Sequence, residues 1–597
     1  MPRITVSGTD RIIEACEGRN LMDLLLEEGF FIDNPCSGKG LCGKCRIRIE
    51  DGAPEPADNE KSLLSEEELA SGVRLSCLVV PEEDMKVSLM QKNRKHRVLT
   101  SGYIPDFEYS PAVRKVCAEI HRPTLEDQTP FEDQLELQTG ASFDELALMH
   151  TQLAPGQVTL AIRGDRIIAV EKGDTRGRLF GAAIDIGTTT VVCSLIDINT
   201  GREVASSSMI NAQKHYGLDV LTRITYEIEH PEDGIIKLQS SLVDSINDML
   251  REACEDAGAD VSEVYELSVA ANCTMLHTLL GVDASPIGKA PFAPVFVKSK
   301  DIPAASIGIK ASAGARLYCL PSVSAYIGAD IVAGAYVCKL HERKGNVLFI
   351  DIGTNGEIVL SRNGSLLSCS CAAGPALEGM NISSGMRAAD GAIEDICIGE
   401  NGVRINVIGD EEPAGVCGSG ILAAVKELLR VGLVRPNGAF VKEEKLAGDD
   451  YRRAFFRTAR DGKREFVITK NPELLITQSD VRQVQLAKGA ILSGFKALLD
   501  KAGISMDLLD EVLIAGQFGA HLPAESLTGT GILPKETGEI ITYVGNTSRT
   551  GAYMALMSEA ARREMEELAQ QMDYMELGAT DNYERLFAEC LMFERQV

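Results

Sequence analysis

Apolar and polar positions divide the chain into regions of different pattern. Within residues 1–92, the runs RITVSG, CRIRIEDG and MKVSLM alternate as strands do, and NLMDLLLEEG has the spacing of a short amphipathic helix. Residues 93–110 are polar and weakly patterned, which is typical of a linker. From 111 to 178, helix-like runs such as FDELALMHTQL alternate with strand-like ones, so the pattern predicts a small α/β domain of unknown role.

From residue 179 to 597, strand-like and helix-like segments alternate and Gly-rich connections mark many turns. Thr477 and Asp480 form a capping box before a helix that places Gln485 and Lys488 on one face. The segment LIAGQFGAHL predicts a strand that enters a Gly turn, where a purine or ribose can approach the backbone. These features predict a large α/β region with several places for a ligand.

A five-residue motif, IDIGT, occurs at residues 184–188 and again at 350–354. Each copy places an acid at the end of an apolar strand, followed by a Gly-Thr-rich turn and a return strand. The backbone N–H groups of such a turn can cradle a phosphate. Two hairpins that face each other could hold a polyphosphate and its Mg²⁺, with Asp185 and Asp351 contributing one carboxylate each. The duplication favours this interpretation over ordinary turn chemistry.

Composition and charge restrict the class of protein. A chain of 597 residues is too long for one core, so three or four domains are expected. The formal charge of −27 disfavours nucleic acid as a partner. The longest apolar runs fall short of the roughly 20 residues that span a bilayer, and the first residues lack the pattern of a secretory signal. We therefore expect a soluble cytoplasmic protein with no membrane partner.

Most of the 16 cysteines are dispersed, as reduced core thiols would be. Cys36, Cys42 and Cys45, however, lie in one Gly-rich loop, and Cys77 follows in RLSCLVV. Three thiols on a flexible loop and a fourth from a strand can enclose a small metal cluster. A structural zinc site is the alternative, but zinc sites usually pair two close-spaced couples of ligands, and Cys77 has no near neighbour of that kind.

The cysteine spacing C-x5-C-x2-C…C resembles that of [2Fe–2S] ferredoxins, and its five-residue first gap resembles the adrenodoxin-like branch rather than the plant-type one. The order of motifs after residue 179 resembles the acetate kinase/Hsc70/hexokinase/actin superfamily. The resemblance implies a β-grasp ferredoxin domain, a small α/β middle domain and a duplicated actin-like, ribonuclease H-like ATPase domain. The corresponding bounds are 1–92, a linker at 93–110, 111–178, and 179–597.

The ferredoxin and superfamily resemblances also imply roles for individual residues. Asp185 and Asp351 would be catalytic and would hold Mg²⁺, and Cys36, Cys42, Cys45 and Cys77 would hold the [2Fe–2S] cluster. The residues implied to bind ATP are Gly187, Thr188, Thr189, Thr190, Gly353, Thr354, Asn355, Gly374, Gln485, Lys488, Gly516, Gln517 and Gly519. Neither phosphate turn contains a lysine, so a charge clamp must come from elsewhere, and Arg387 is the candidate.

The whole-chain arrangement resembles the reductive activators of corrinoid proteins, and stretches such as GPALEGMNISSGMRAADGAI and IAGQFG are similar to that family's own. The resemblance implies that ATP binding and hydrolysis drive an electron from the [2Fe–2S] cluster to Co(II), giving Co(I) for methyl transfer. It implies a corrinoid protein of a methyltransferase system as partner and a ferredoxin or flavin reductase as electron donor, and it allows a homodimer.

Three other interpretations stay open at the level of sequence. One is a small-molecule kinase with a redox-sensing ferredoxin domain. Another is an activator of a 2-hydroxyacyl-CoA dehydratase-type enzyme, a family that holds a [4Fe–4S] cluster between two subunits, for which Cys369 and Cys371 could serve. The third is an electron-carrying module whose ATPase fold is only a nucleotide-gated docking scaffold.

Overall fold

The structure is a computed structural model, and it describes residues 2–594 except 8–10, 16–17, 28–29, 31, 33–39, 41–44, 65, 90–103, 150–151, 218, 387, 389, 459–462, 471–472 and 517–521. The chain divides into two compact units. The first comprises residues 1–106 with 542–544, and the second comprises 107–541 with 545–597. Within the described residues, no helix is both long and apolar enough to cross a membrane.

The first unit is a five-stranded sheet with the strand order β2-β1-β5-β3-β4. β1 and β2 form a hairpin, β1 runs parallel to β5, and β3 pairs antiparallel with both β4 and β5. Apolar side chains of the strands and of α1 form one buried core, which confirms the predicted strands and helix. The elements are β1 (Arg3–Val6), β2 (Ile12–Glu14), α1 (Leu21–Glu27), β3 (Arg46–Asp51), α2 (Asp58–Leu63), α3 (Glu66–Ala70), β4 (Val73–Leu75) and β5 (Met85–Leu89).

The second unit begins with a four-stranded sheet of order β6-β8-β9-β7, which has its own apolar cluster. The run QVTLAIRGDRIIAVEKGD forms the antiparallel pair β8 and β9, which are joined by a turn that contains Gly164 at a positive φ. The elements are β6 (Val113–Ile120), α4 (Phe131–Thr139), β7 (Ser142–Phe143), α5 (Glu145–Met149), β8 (Gly156–Arg163) and β9 (Arg166–Lys172).

A six-stranded sheet of order β12-β11-β10-β13-β15-β14 follows. Its central strand, β10, is flanked by an antiparallel partner, β11, and a parallel one, β13, and nearly every residue of β10 and β13 is buried. The elements are β10 (Phe180–Ile186), β11 (Thr190–Asp197), β12 (Arg202–Ile210), α6 (Val220–Glu229), α7 (Gly234–Ala257), β13 (Val264–Ala271), α8 (Cys273–Leu280), β14 (Lys300–Pro303), β15 (Arg316–Cys319) and α9 (Ala329–Val337).

The last region repeats this arrangement in the sheet β26-β25-β16-β17-β18-β27. Its central strand, β16, again pairs antiparallel with the next strand, β17, and parallel with the later strand β25. Two small sheets, β20-β19-β21 and β22-β23-β24, accompany it. The elements are β16 (Asn346–Ile352), β17 (Gly356–Arg362), β18 (Ser365–Cys371), β19 (Ala392–Gly399), β20 (Gly402–Val407), β21 (Gly415–Val416), α10 (Gly418–Arg430), β22 (Phe456–Thr458), β23 (Arg464–Lys470), β24 (Glu473–Thr477), α11 (Gln478–Ala502), β25 (Glu511–Ala515), α12 (Ala524–Thr530), β26 (Ile541–Gly545), α13 (Thr547–Met557), α14 (Glu559–Gln571), β27 (Asp573–Tyr574) and α15 (Tyr583–Cys590).

The repeated sheets place both IDIGT motifs in the same position. Each motif ends the first strand of a three-stranded meander whose neighbour on the other side runs parallel. The carboxyl ends of the parallel strands meet at one edge of each sheet, which is where α/β proteins bind ligands. The predicted capping box is also confirmed, because Thr477 and Asp480 exchange both hydrogen bonds at the start of α11.

Candidate functional site

Two of the predicted cluster ligands lie together in the first unit. Cys45 immediately precedes β3 and Cys77 follows β4, and because these strands are paired the two sulfur atoms approach to 3.2 Å. Both side chains are buried. The hydrogen bond with Cys77 lowers the pKa of Cys45 to about 6, against the opposing effect of burial. Because the thiolate is the form that ligates iron, this pair fits a [2Fe–2S] site. Cys36 and Cys42 lie outside the described residues.

In the first phosphate turn, Gly187 to Thr189, all three carbonyl groups accept hydrogen bonds that anchor the turn. Asn211 donates its side-chain amide to the Gly187 oxygen (2.9 Å) and its backbone amide to the Thr189 oxygen (3.0 Å). Arg223 donates to the Thr188 oxygen at 2.6 Å. Because the C=O and N–H of one peptide point in opposite directions, the amides that follow these three carbonyls face away from the anchoring groups. The turn therefore offers consecutive N–H donors to an anion.

Asp185 lies beside this turn, at the N-terminus of α13. Its carboxylate accepts hydrogen bonds from the Asn546 amide (2.8 Å) and the Ser548 hydroxyl (2.7 Å). Asn546 is the N-cap of α13 and also accepts from the backbone amide of Arg549, so the helix start and the carboxylate form one network. Burial raises the pKa of Asp185, although both hydrogen bonds act in the other direction.

The second phosphate turn closes its hairpin with three residues, 353–355, where the first has four, 187–190. Gly353 donates its amide to the carbonyl of Asn355 at 3.0 Å, and the Thr354 hydroxyl donates to Glu378 at 2.7 Å. Gly516, the first residue after β25, has a φ of +97°, and a Cβ there would lie 2.7 Å from an Asp351 carboxylate oxygen. Only glycine fits this position, which brings the start of the predicted adenosine motif against the second phosphate hairpin.

Two further acids join Asp185 and Asp351. Glu357 is the cross-strand partner of Asp351 in the β16–β17 ladder, and Asp330 lies in the first turn of α9. Burial raises the pKa of Asp330 to about 7, with a contribution from Asp185. It raises the pKa of Asp351 to about 8, with contributions from Asp330 and Asp185, and it also raises the pKa of Glu357. These mutual repulsions indicate that the acids share one region, which a cation would stabilise.

The acids do not form a complete metal site by themselves. Among the described side chains, no group of three or more His, Cys, Asp or Glu residues is arranged to hold a metal ion. Mg²⁺ usually keeps several waters and binds one or two carboxylates together with substrate phosphates. Asp185 and Asp351 fit this mode of binding, in which a nucleotide would supply the remaining ligands.

Other residues predicted to bind ATP lie elsewhere or outside the described part. The Lys488 ammonium is buried and donates to the carbonyls of Cys590 (2.7 Å) and Met592 (2.9 Å), and Gln485 donates to that of Leu591 (3.0 Å). Both side chains thus hold the C-terminal segment, and we leave them out of the proposed nucleotide site. Gly374, with a φ of +77°, precedes a short helical turn. Arg387, Gln517 and Gly519 lie outside the described residues.

Cys369 and Cys371 do not form an exposed ligand pair. Both thiols are buried in β18, where Cys369 donates to the Gly494 carbonyl and Cys371 to the Gly356 carbonyl. Burial raises the pKa of each. Protonated, buried thiols are poor ligands for a cluster shared between two subunits, so the geometry counts against a dehydratase activator that uses this pair.

Sequence reasoning missed several residues around the phosphate turns. Asn211, Arg223 and Asn272 anchor the first turn, Asn272 by donating to the Thr188 hydroxyl at 3.1 Å. Asn546 and Ser548 bind Asp185. A signal existed for the three asparagines that begin helical segments, since Asn211, Asn272 and Asn546 are N-caps. The other contacts join residues that are distant in sequence.

The comparisons with known proteins agree with this architecture. Residues 4–82 match a family model described as a 2Fe-2S iron-sulfur cluster binding domain. Residues 180–343 match the RACo middle region, and 345–596 match the C-terminal domain of RACo, the ASKHA domain. A solved structure titled reductive activator for corrinoid, iron-sulfur protein is 30% identical, covers 99% of this chain and 98% of its own, and has a TM-score of 0.74.

The chain belongs to the family of reductive activators of corrinoid proteins. A corrinoid activation enzyme, RamQ, of Eubacterium limosum is 29% identical over 92% of this chain and 91% of that protein. A [Co(II) methylated amine-specific corrinoid protein] reductase of Methanosarcina barkeri is 25% identical over 68% of this chain and 76% of that protein. Membership of this family of enzymes confirms the predicted combination of a ferredoxin domain with an ASKHA-type ATPase domain.

Proposed function

We propose that this reductive activator uses ATP to drive one electron from its ferredoxin domain to the cobalt of a corrinoid protein. Cobalt changes from Co(II) to Co(I), and the electron comes from an external reductant such as a reduced ferredoxin or a flavin reductase. ATP is hydrolysed by water to ADP and phosphate. The observation that carries the proposal is the pair of phosphate hairpins, with Asp185 and Asp351, on the same chain as the Cys45–Cys77 pair.

The ferredoxin domain serves as the electron relay in this proposal. Cys36, Cys42, Cys45 and Cys77 would hold the [2Fe–2S] cluster, which supplies one-electron chemistry when bound. The paired strands β3 and β4 hold Cys45 and Cys77 in place, and the lowered pKa of Cys45 keeps it as thiolate near neutral pH. Cys45 and Cys77 therefore already lie side by side.

The nucleotide would lie between the two phosphate turns. Asp185 and Asp351 would hold Mg²⁺, which would supply positive charge against the phosphates. The outward amides of Thr188, Thr189 and Thr190 would bind the phosphates on one side, and residues 353–355 would bind them on the other. Gly516 would let the nucleoside approach the backbone next to Asp351.

The hydrogen-bond partners of Asp185 provide a route by which nucleotide binding would change the conformation of the protein. Both of these partners lie on α13, which belongs to the C-terminal part of the chain, whereas Asp185 belongs to β10. Binding of Mg²⁺ at this carboxylate would compete with those hydrogen bonds and alter the link between β10 and α13. ATP can do work only through such a difference in affinity between two conformations.

Water is the phosphate acceptor in our proposal, in place of a sugar or other small molecule. The ferredoxin domain on the same chain favours ATP hydrolysis coupled to electron transfer over the formation of a phosphorylated product.

The decisive experiment is an anaerobic assay of cobalt reduction. The reduced protein is mixed with a Co(II) corrinoid protein, and the Co(I) absorption band is followed with ATP, with ADP and without nucleotide. We expect Co(I) only with ATP and Mg²⁺. Asp185→Asn should lower the rate by roughly a hundredfold, the usual cost of removing one electrostatic group from a preorganised site.

Three results would contradict the proposal. If Co(I) forms equally well without nucleotide, ATP does not drive the electron transfer. If ATP is hydrolysed only when a small hydroxylated acceptor is added and phosphate is transferred to it, the protein is a kinase. An absence of hydrolysis with any corrinoid protein would instead favour the nucleotide-gated scaffold.

A further inference from the structure

Arg223 is fully buried behind the first phosphate turn. It belongs to α6, and its guanidinium donates to the carbonyls of Thr188 (2.6 Å) and Gly217 (3.0 Å). A third bond, of 3.1 Å, goes to the side-chain oxygen of Gln213. All of these oxygens are uncharged. The side chain therefore has hydrogen-bond partners but no directly bonded counter-charge among the described residues.

The guanidinium is a buried cation without an ion pair. Among the described residues, none of the ion pairs within 4.0 Å includes Arg223. The charged group that affects its pKa is Asp219, whose carboxylate caps α6. Burial lowers the pKa of Arg223 to about 10, so the group stays protonated at neutral pH. Buried arginines are usually paired because a lone charge is costly to remove from water. An anion that binds nearby would relieve this cost.

The contact with Thr188 directs this charge towards the ligand side of the turn. The carbonyl that accepts from Arg223 belongs to the peptide whose N–H is that of Thr189, and that N–H faces the opposite side. A cation bonded to the oxygen of a peptide polarises the peptide and makes its N–H a stronger donor. The amide of Thr189 therefore transmits part of the charge of Arg223.

Among the described residues, no lysine or arginine is hydrogen-bonded to the second turn in the way that Arg223 is bonded to the first. The hydroxyl of the second turn, on Thr354, donates to an acidic residue, Glu378. Neither turn contains a lysine or arginine. Within the described part of the chain, Arg223 is thus the cation that is hydrogen-bonded to a phosphate turn.

We propose that Arg223 is a positioning residue that supplies the positive charge of the first phosphate turn and thereby makes binding selective for longer polyphosphates. It acts through the peptide of Thr188 and Thr189, without touching the nucleotide. This inference rests on the proposed nucleotide site. The contrasting role would be purely structural, with Arg223 serving only to tie α6 to the turn.

The test is a series of ligands that differ in charge, measured by calorimetry in chelator without Mg²⁺. ATP, ADP, AMP and adenosine are titrated into the full-length wild type and Arg223→Met, which removes the charge and keeps a similar length. We expect the loss of affinity to grow with ligand charge, from about twofold or less for adenosine to tenfold or more for ATP, as for loss of a charge-assisted hydrogen bond. A loss equal for all four ligands would overturn the inference.

Two more variants separate charge from structure. Arg223→Lys retains the cation but cannot make the three-way contact, so its ATP-to-AMP affinity ratio should stay close to that of the wild type. If Arg223→Met does not fold, the ATP-to-AMP affinity ratio of Arg223→Lys decides between the two roles of Arg223. A ratio near one in that variant overturns the inference. Arg452→Met is the matched control, because Arg452 also donates to a carbonyl, that of Val431, but is paired with Asp450. Its affinities should be unchanged.

The outcomes distinguish this inference from the proposed function. Wild-type protein that binds none of the nucleotides, either in chelator or with Mg²⁺ present, would refute the nucleotide site, and the role of Arg223 with it. If binding needs Mg²⁺, the same variants and ligands are compared at saturating Mg²⁺. Wild-type protein that binds ATP tightly, together with an Arg223→Met variant whose losses do not depend on charge, would refute only the role of Arg223.

Discussion

At the scale of residues, the candidate site depends on a few close approaches that leave no room for other side chains. Gly516 is the clearest example, because its positive φ and the nearness of Asp351 both require glycine. Asp185 is equally constrained, since both of its oxygens accept hydrogen bonds from α13. Such positions are sensitive to small changes, and a substitution there tests geometry rather than general stability.

We predict that Gly516→Ala weakens ATP binding by at least tenfold. Its new methyl group would lie 2.7 Å from an Asp351 oxygen and 2.8 Å from the Ile352 carbonyl, so the turn must move. Gly503→Ala is the control. Gly503 also has a positive φ, of +65°, but nothing lies within 4 Å of its missing Cβ. Gly503→Ala should lose about 1 kcal/mol from backbone strain, and Gly516→Ala should lose more because of its added clash. Calorimetry should show weaker binding for Gly516→Ala alone, and equal affinities would refute the placement of the nucleoside.

At the same scale, Gln485 and Lys488, which were expected to bind the nucleotide, donate hydrogen bonds to the C-terminal segment. Their helical spacing does place them on one face of α11. That face, however, contacts the backbone of residues 590–592, which contribute the acceptor carbonyls. Periodicity identifies the shared face of a helix, but it contains no information on which distant segment covers that face.

At the scale of elements, the start of α13 connects two regions of the chain, because the residue that caps this helix also binds Asp185 on β10. Its N-cap, Asn546, uses its oxygen for the Arg549 amide and its nitrogen for Asp185. The first phosphate turn is similarly anchored by Asn272, the N-cap of α8. Helix starts therefore serve two purposes here, because they satisfy backbone donors and also orient the groups that would bind phosphate and Mg²⁺.

We predict that Asn546→Ala and Ser558→Ala differ in function but not in stability. Ser558 is the N-cap of α14, the next helix, and accepts from the amide of Ala561. Each substitution should lower the free energy of unfolding by about 1 kcal/mol, the usual cost of an N-cap. Only Asn546→Ala removes a hydrogen bond from Asp185, so ATP-dependent cobalt reduction should fall severalfold in that variant alone. Equal reduction rates in the two variants would contradict the proposed role of α13.

At the scale of the whole molecule, two chemistries occur in separate units of one chain. The cysteine pair belongs to the first unit, and every described residue of the proposed nucleotide site belongs to the second. Each unit has its own core, and the apolar core around Cys45 and Cys77 contains residues of the first unit alone. Loss of one site should therefore leave the other intact.

We predict a reciprocal pattern for Cys77→Ser and Asp351→Asn. Cys77→Ser should lose the visible absorption of the iron–sulfur cluster and its iron content, and keep the wild-type dissociation constant for ATP. Asp351→Asn should keep the absorption and iron content and lose ATP-dependent cobalt reduction. Absorption spectra, iron analysis and calorimetry on the two purified variants check this pattern. Loss of both properties in either variant would show that the sites are interdependent.

The amino-acid sequence by itself determined the elements and the class of chemistry. Alternation and helical spacing identified the strands of the ferredoxin domain and the α11 helix with its capping box, because these patterns depend on neighbours in sequence. The duplicated IDIGT and the cysteine spacing indicated the two kinds of site, since turn chemistry and ligand identity are local properties. The family comparisons agree with both.

Only the tertiary structure decided which residues surround these motifs. Arg223 beneath Thr188, Asn546 beside Asp185 and Glu357 opposite Asp351 are brought together by sheet pairing and helix packing. The contacts of Arg223 and Asn546 join residues far apart in the chain, and no local preference encodes them. For the same reason, the electrostatics of the acids emerged only in three dimensions, because their pKa values depend on burial and on the charges that the fold places nearby.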